Sequence, residues 1–325
     1  MIALDFAPME SLGSAVFRRL HFRYFGSVDT YGIAFITPTR EARFTERQLR
    51  EIAPEVNEGI PCVPQLLTRR SGDFIWAAKA LFRLGYSEVN LNLGCPAGTV
   101  VAKGKGAGFL RSPIELEQFL NEIFSEIAPE QISIKTRLGW SDESEFERLS
   151  AIFSQFPIKR LTVHARLKTD QYRGHARVDS FEKAVRNLPI PIGYNGDIVT
   201  PEDYKTVVNR FPNLDQIMVG RGLIADPALF RKIRGGKCAD QKELQAFTEE
   251  LFEGYAQAWG SRKNAMMRMK EYWFLLSNLF GGDAAKDLKA ICKARSESDY
   301  QSAVQSLLHE PILESTRFGW YKPLD

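Results

Sequence analysis

"VNLNLGCPAGTVVAKGKGAGFL", residues 89–110, runs from an apolar strand into Gly94-Cys95-Pro96 and then a loop carrying Lys103, Lys105 and four glycines. A thiol on a turn at the end of a strand is out of place in an ordinary core. It suits the mouth of a (β/α)8 barrel, where chemistry gathers at the carboxyl ends of the strands. Seven further β-rich runs flank this one, at 2–6, 33–37, 62–67, 132–137, 161–165, 191–195 and 216–220. Continuously apolar runs of this kind suit parallel strands covered on both faces.

The segments between them carry helical signals. "SGDFIWAAKALFRLGY", residues 71–86, offers Ser71 as N-cap, Gly85 as stop and Phe74, Ala77, Ala78, Leu81 and Phe82 on one face. "TPEDYKTVVNRF", residues 200–211, has Thr200 as N-cap, Pro201 at the first position and acids in the first turn. Strand–helix alternation repeated eight times within the first 238 residues predicts a closed barrel. An open doubly wound sheet competes, but no GxGxxG follows the first strand.

Composition sets the outer limits. The 325 residues are 44% hydrophobic and 26% charged, with a formal charge of +3, so any nucleic-acid-binding surface must be local. Four scattered cysteines make neither a disulfide framework nor a zinc site, and no metal is expected. With no signal-peptide pattern and no apolar run of membrane-spanning length, a cytoplasmic monomer is expected. After residue 238 the β-rich runs stop. Helical patterns near 242–259, 264–280, 283–294 and 298–308 predict an all-helical domain over 239–310, followed by an irregular tail at 311–325.

Unusual polar residues recur at the strand ends. Pro8 and Met9 follow the first strand, Gln65 sits in the third, and Asn92 and Cys95 end the fourth. Lys135 and Arg137 end the fifth, His164 and Arg166 the sixth, Asn195-Gly196-Asp197 the seventh, and Gly220-Arg221-Gly222 the eighth. The glycines of the last two loops let backbone N–H groups approach an anion, and the loops after strands seven and eight are the usual phosphate site of this fold. Lys135, expected across the mouth from that site, suits the ring of a flavin mononucleotide by stabilising negative charge on it. A strand-end lysine can equally form a Schiff base, which leaves an aldolase or isomerase open.

The ordered motifs resemble the flavin-dependent tRNA-dihydrouridine synthases, bacterial type. They are "APM" at 7–9 with Phe17-Arg18, "NLGCP" at 92–96 with "VVAKGKGAGFL", "KTRLGW" at 135–140 and "VHARLKTDQYRG" at 163–174. "YNGDI" at 194–198, "VGRG" at 219–222 and "MRMKEYW" at 267–273 complete the set. The resemblance implies reduction of the C5–C6 bond of uridines in tRNA, with FMN as cofactor and NADPH (or NADH) as electron donor. It implies Cys95 as general acid. Pro8, Met9, Glu10, Gln65, Lys135, His164, Asn195, Gly196, Asp197, Gly220 and Arg221 would hold the flavin. Asn92 would face the uracil, and Arg166 would lie near flavin phosphate or RNA.

Three departures bear on the target uridine more than on the reaction: Glu10, Ser11 and Ser14 in the first loop, "FITPTRE" at 35–41, and Asn90 where the family has Asp. For RNA, residues 262–295 hold eight cations against three carboxylates, Arg268 and Lys270 among the eight. Lys103, Lys105 and Arg173 would extend this strip to the barrel mouth. Trp273 and Phe274 are expected in the helical core. Another FMN barrel acting on a small pyrimidine or enone is the nearest rival. A non-redox RNA-binding protein on the same barrel is the second.

Overall fold

The computed structural model describes residues 1–319 and closes eight parallel strands into a barrel in sequential order. They are β1 (Ala3–Phe6), β2 (Thr30–Ile36), β3 (Cys62–Leu66), β4 (Val89–Leu93), β5 (Ile132–Gly139), β6 (Leu161–Leu167), β7 (Ile192–Asn195) and β8 (Gln216–Val219). β8 returns to pair with β1, Phe6 lying opposite Val219. The strand period of two sorts β4 into two faces. Val89, Leu91 and Leu93 are buried against the helical layer, while Asn90 and Asn92 meet side chains of β3 and β5 inside the barrel.

Local chemistry explains one helix start and corrects another. Thr200 and Asp203 form a reciprocal capping box for the helix Pro201–Arg210, as its sequence predicts. Ser71 is not a cap. Arg70 takes the extended cap position and Ser71 already belongs to the helix Ser71–Arg83, its hydroxyl turned to Glu122 of the neighbouring helix. The glycine-rich loop after Cys95 folds into helical turns, Gly98–Val101 and Gly106–Arg111, with Gly106–Leu110 buried. Gly104 and Gly106 take positive φ there, and Gly108 packs against Val101.

Beyond the barrel, the helices Gln241–Trp259, Arg262–Leu276, Ala284–Lys293 and Glu297–Leu308 follow one another. They share one apolar core with the barrel. Phe247 packs edge-on to Phe25 at 5.1 Å and to Phe17 at 6.1 Å on the first barrel helix, Ala15–Tyr24. Tyr272 donates to the carbonyl of Leu12, and Tyr255 bonds the hydroxyl of Ser14. The loop after β1 is therefore braced by the helical segment, and removing that segment would uncover the barrel core. Residues 311–319 run back without helix or strand, fixed by Leu313 and Arg317 backbone bonds to Leu279 and Asn278. Residues 320–325 of the expected tail lie outside the described residues. Among the described residues no helix is long and apolar enough to cross a membrane.

Candidate active site

A cavity of about 1140 Å³ opens at the carboxyl ends of the strands, roomier than most cofactor pockets. Fifteen of the sequence-predicted residues line it. They are Pro8, Met9 and Glu10; Gln65; Asn92 and Cys95; Lys135; His164 and Arg166; Asn195, Gly196 and Asp197; Gly220 and Arg221; and Lys270. Lys103, Lys105, Arg173 and Arg268 stand outside its wall.

Cys95 is half-buried on a turn clamped from both sides. Asn92 Oδ1 accepts from the backbone N–H of Gly94 (3.0 Å) and of Cys95 (2.9 Å). Arg137 Nε donates to the carbonyl of Gly94 at 2.7 Å, and its Nη1 reaches the carbonyls of Leu167 and Gln171. Arg137 thus positions the thiol's turn, a role that sequence reading did not give it. Its position at a strand end was the available signal. Burial pushes the Cys95 thiol above its usual pKa and Glu10 adds to this, against a bond from Ala97 and the charges of Arg137 and Lys135. A thiol so placed holds its proton at neutral pH.

Asn92 itself is buried. Its Oδ1 is occupied by the turn and its Nδ2 donates to Gln65 Oε1 at 2.6 Å. Its amide therefore organises Cys95, with one N–H left over. Lys135 Nζ donates to Asn195 Oδ1 at 2.8 Å, reaching towards the β7 loop rather than standing free across the mouth. Burial, followed by Arg137, lowers its pKa to about 7.

Arg166 is fully buried and its donors are spent. It pairs with Asp197 (2.7 Å), bonds the carbonyl of Gly174 (2.6 Å), and meets His164 Nε2 at 3.1 Å. It ties the β6 and β7 loops together at the cavity wall. Because a guanidinium only donates, His164 Nε2 must accept, so Nδ1 carries the proton. Burial, then Arg137, Lys135, Arg166 and Arg221, hold this imidazole neutral. Four cations thus surround one neutral ring, with Asp197 bonded to Arg166.

The last two loops pack backbone to backbone. A Cβ on Gly222 would stand 2.2 Å from the Ile198 carbonyl oxygen. Gly222→Ala is therefore expected to cost roughly 1–3 kcal/mol of stability as the loops part, measurable as a lower chemical-denaturation midpoint.

On the helical side, Phe274 is a correction. It is 47% exposed and faces the cavity together with Met267, whereas Trp273 is fully buried as expected. The helical period alone, i to i+7, carried that signal. Lys270 Nζ caps the end of the helix Ala284–Lys293 through the carbonyls of Cys292 and Ala294. Arg268 pairs with Glu271 and lies over the Trp259 ring, and Arg262 is held by Glu253 and Glu297. Lys263, Lys289, Lys293 and Arg295 remain exposed.

A family model described as "Dihydrouridine synthase (Dus)" matches residues 5–309. The chain is 30% identical over 226 residues to tRNA-dihydrouridine synthase B of Pasteurella multocida, covering 69% of this chain and 67% of that one. It is 29% identical over 287 residues to tRNA-dihydrouridine(16) synthase of Neisseria meningitidis serogroup A, covering 84% and 85%. Among solved structures, a 2-naphthoyl-CoA reductase complex superposes with a TM-score of 0.56 at 13% identity, covering 72% of this chain and 50% of the other. Morphinone reductase gives 0.51 at 13%, covering 73% and 87%. At such identity these two likenesses speak for the barrel fold.

Proposed function

Because the chain belongs to the dihydrouridine synthase family, we propose that its cavity holds FMN beside a tRNA uracil and that Cys95 protonates that base. The enzyme is a flavin-dependent oxidoreductase that forms dihydrouridine in tRNA. NADPH is the proposed electron donor. The observation that carries the site assignment is that Cys95, on the turn after β4, and Lys135, on the neighbouring strand β5, line one cavity.

The residues fit an anionic cofactor. The deep wall gathers Lys135, Arg137, Arg166 and Arg221, and Lys135 has an amide oxygen, not a carboxylate, as its hydrogen-bond partner. Gly196, Gly220 and Arg221 would hold the phosphate, Gln65 and Asn195 the ring edge, and Pro8, Met9 and Glu10 the near side. His164 offers Nδ1–H as a neutral donor. Flavin held there would supply a hydride equivalent to C6 of the uracil. The Cys95 thiol would give its proton to C5, the S–H bond breaking as the C5–H bond forms, and the thiolate would regain a proton from water.

Residues 1–238 serve as the catalytic barrel and 239–310 as the RNA-facing helices in this reading. Met267 and Phe274 offer an apolar wall to a base, and Lys289, Lys293 and Arg295 of the same helical segment are exposed to phosphate. Lys289→Glu with Lys293→Glu is expected to weaken tRNA binding roughly tenfold at moderate salt and to flatten the salt slope by about 2. Fluorescence anisotropy across a salt series measures both.

The reading as a whole is tested by giving the flavin-loaded protein and NADPH to undermodified tRNA and mapping dihydrouridine. Turnover of free uracil or an enone with no product in tRNA would support the rival flavin barrel instead.

A further inference from the structure

The barrel interior contains a continuous hydrogen-bonded chain that leads from its floor to the Cys95 turn. At the floor, the buried Glu88 carboxylate pairs with Lys159 at 2.6 Å. Ser133 Oγ donates to Glu88 Oε1 at 2.5 Å, and Asn90 Nδ2 donates to Ser133 Oγ at 2.9 Å. Gln65 Nε2 donates to Asn90 Oδ1 at 2.7 Å, and Asn92 Nδ2 donates to Gln65 Oε1 at 2.6 Å. Asn92 Oδ1 then accepts the N–H groups of Gly94 and Cys95. Ser133, Asn90, Gln65 and Asn92 are each no more than 7% exposed.

Every donor in this chain points the same way, and chemistry at both ends demands it. A carboxylate only accepts, so Ser133 must donate downwards. A backbone N–H only donates, so Asn92 must turn its oxygen upwards. Three amides, each able to flip, are thereby locked in one sense, and chains of aligned bonds polarise one another in a low dielectric. Were Asn92 to flip, its NH2 would face two N–H groups and the turn holding the thiol would lose its acceptor.

We propose that Asn90 and Ser133, anchored on Glu88, are positioning residues that hold the Asn92 amide in the one orientation that aims Cys95 at the base. This rests on Cys95 acting as the acid.

Asn90→Leu keeps the number and branching of side-chain heavy atoms and cuts the chain between Gln65 and Ser133. It is expected to slow dihydrouridine formation by on the order of 10²-fold at saturating tRNA, with tRNA affinity within twofold of wild type. NADPH oxidation by dioxygen should also stay within about twofold, since the step lost is the proton transfer. In the flavin-free protein, iodoacetamide labelling of Cys95, followed on its own peptide, should rise roughly fivefold as the turn loosens. Asn90→Asp should restore most of the activity, because its carboxylate still accepts from Gln65 and so preserves the sense of Gln65 and Asn92. The single Ser133 hydroxyl hydrogen then turns from Glu88 to the introduced carboxylate, which replaces Glu88 as the acceptor-only end of the chain.

Wild-type rates in Asn90→Leu, an equal fall in NADPH oxidation, or Asn90→Asp as impaired as Asn90→Leu would each overturn the proposal. If Asn90→Leu does not fold, Ser133→Ala is read by the same measurements. It leaves Asn90 Nδ2 without its acceptor, with a roughly tenfold loss expected; no loss overturns the proposal. An active Cys95→Ala overturns both this proposal and the role of Cys95. An inactive Cys95→Ala beside a fully active Asn90→Leu overturns only this one.

Discussion

Cys95→Ala is expected to lower dihydrouridine formation by about 10²–10⁴-fold, the usual contribution of a positioned general acid. Flavin binding and NADPH oxidation should be nearly unchanged, because the cationic wall and the phosphate loops do not use the sulfur. Alanine also leaves the turn in place, since Asn92 and Arg137 grip its backbone and not its side chain. The pH dependence gives a second check. The thiol is the proton donor and burial raises its pKa, so the thiol-dependent step should be fully present at neutral pH. It should fall as pH rises through the raised value, above the range of a solvent-exposed cysteine. Single-turnover reduction of tRNA across pH, set beside the Cys95→Ala profile, separates this limb from any other titration. A Cys95→Ala protein that modifies tRNA at the wild-type rate would falsify the assignment.

The barrel was legible because its signals are local and repeated. Apolar strands such as β5 and β6 are covered on both faces, and capped helices such as Pro201–Arg210 punctuate them. The strand-end rule then brought Cys95, Lys135, His164 and Asn195 to one cavity without any knowledge of distance. What stayed hidden depends on partners remote in sequence. Arg137 reads as another strand-end cation until the carbonyls of Gly94, Leu167 and Gln171 surround it.

Asn92 reads simply as a base-facing amide, yet Gln65, 27 residues away, takes one of its N–H groups and the Cys95 turn takes its oxygen. Charge counts also mislead for a physical reason. Of the eight cations between 262 and 295, Arg262, Arg268 and Lys270 are bound to partners within the protein, so composition overstated the surface offered to phosphate. Phe274 sits in an apolar run, yet its place on the helix turns it to the cavity. Membership of a run says less about burial than position in the period does.

Lys135→Met is expected to lower the rate of flavin-dependent reduction by roughly 10²–10³-fold, the cost of removing one preorganised group that stabilises developing charge. The same substitution should stabilise the flavin-free protein, and the sign follows from the lysine's pKa of about 7 in the folded chain, lowered from 10.5. Between those values the unfolded chain holds a proton that the folded chain has released. Stability therefore rises with pH across that window, and below about pH 7 both states are protonated and the slope vanishes. Methionine carries no proton, so its advantage over wild type should be largest at and below pH 7 and should close towards pH 10.5. An anion in the cavity reverses the balance by pairing with the ammonium group. Wild-type protein should then take up a proton on binding flavin and bind it more weakly as pH rises through about 7, while Lys135→Met binds it with little dependence on pH. Thermal unfolding of the flavin-free proteins and flavin titrations at pH 6, 7, 8 and 9 measure the two effects separately. Should wild type and Lys135→Met give parallel stability curves and parallel affinity curves, Lys135 does not carry the charge that faces the cofactor.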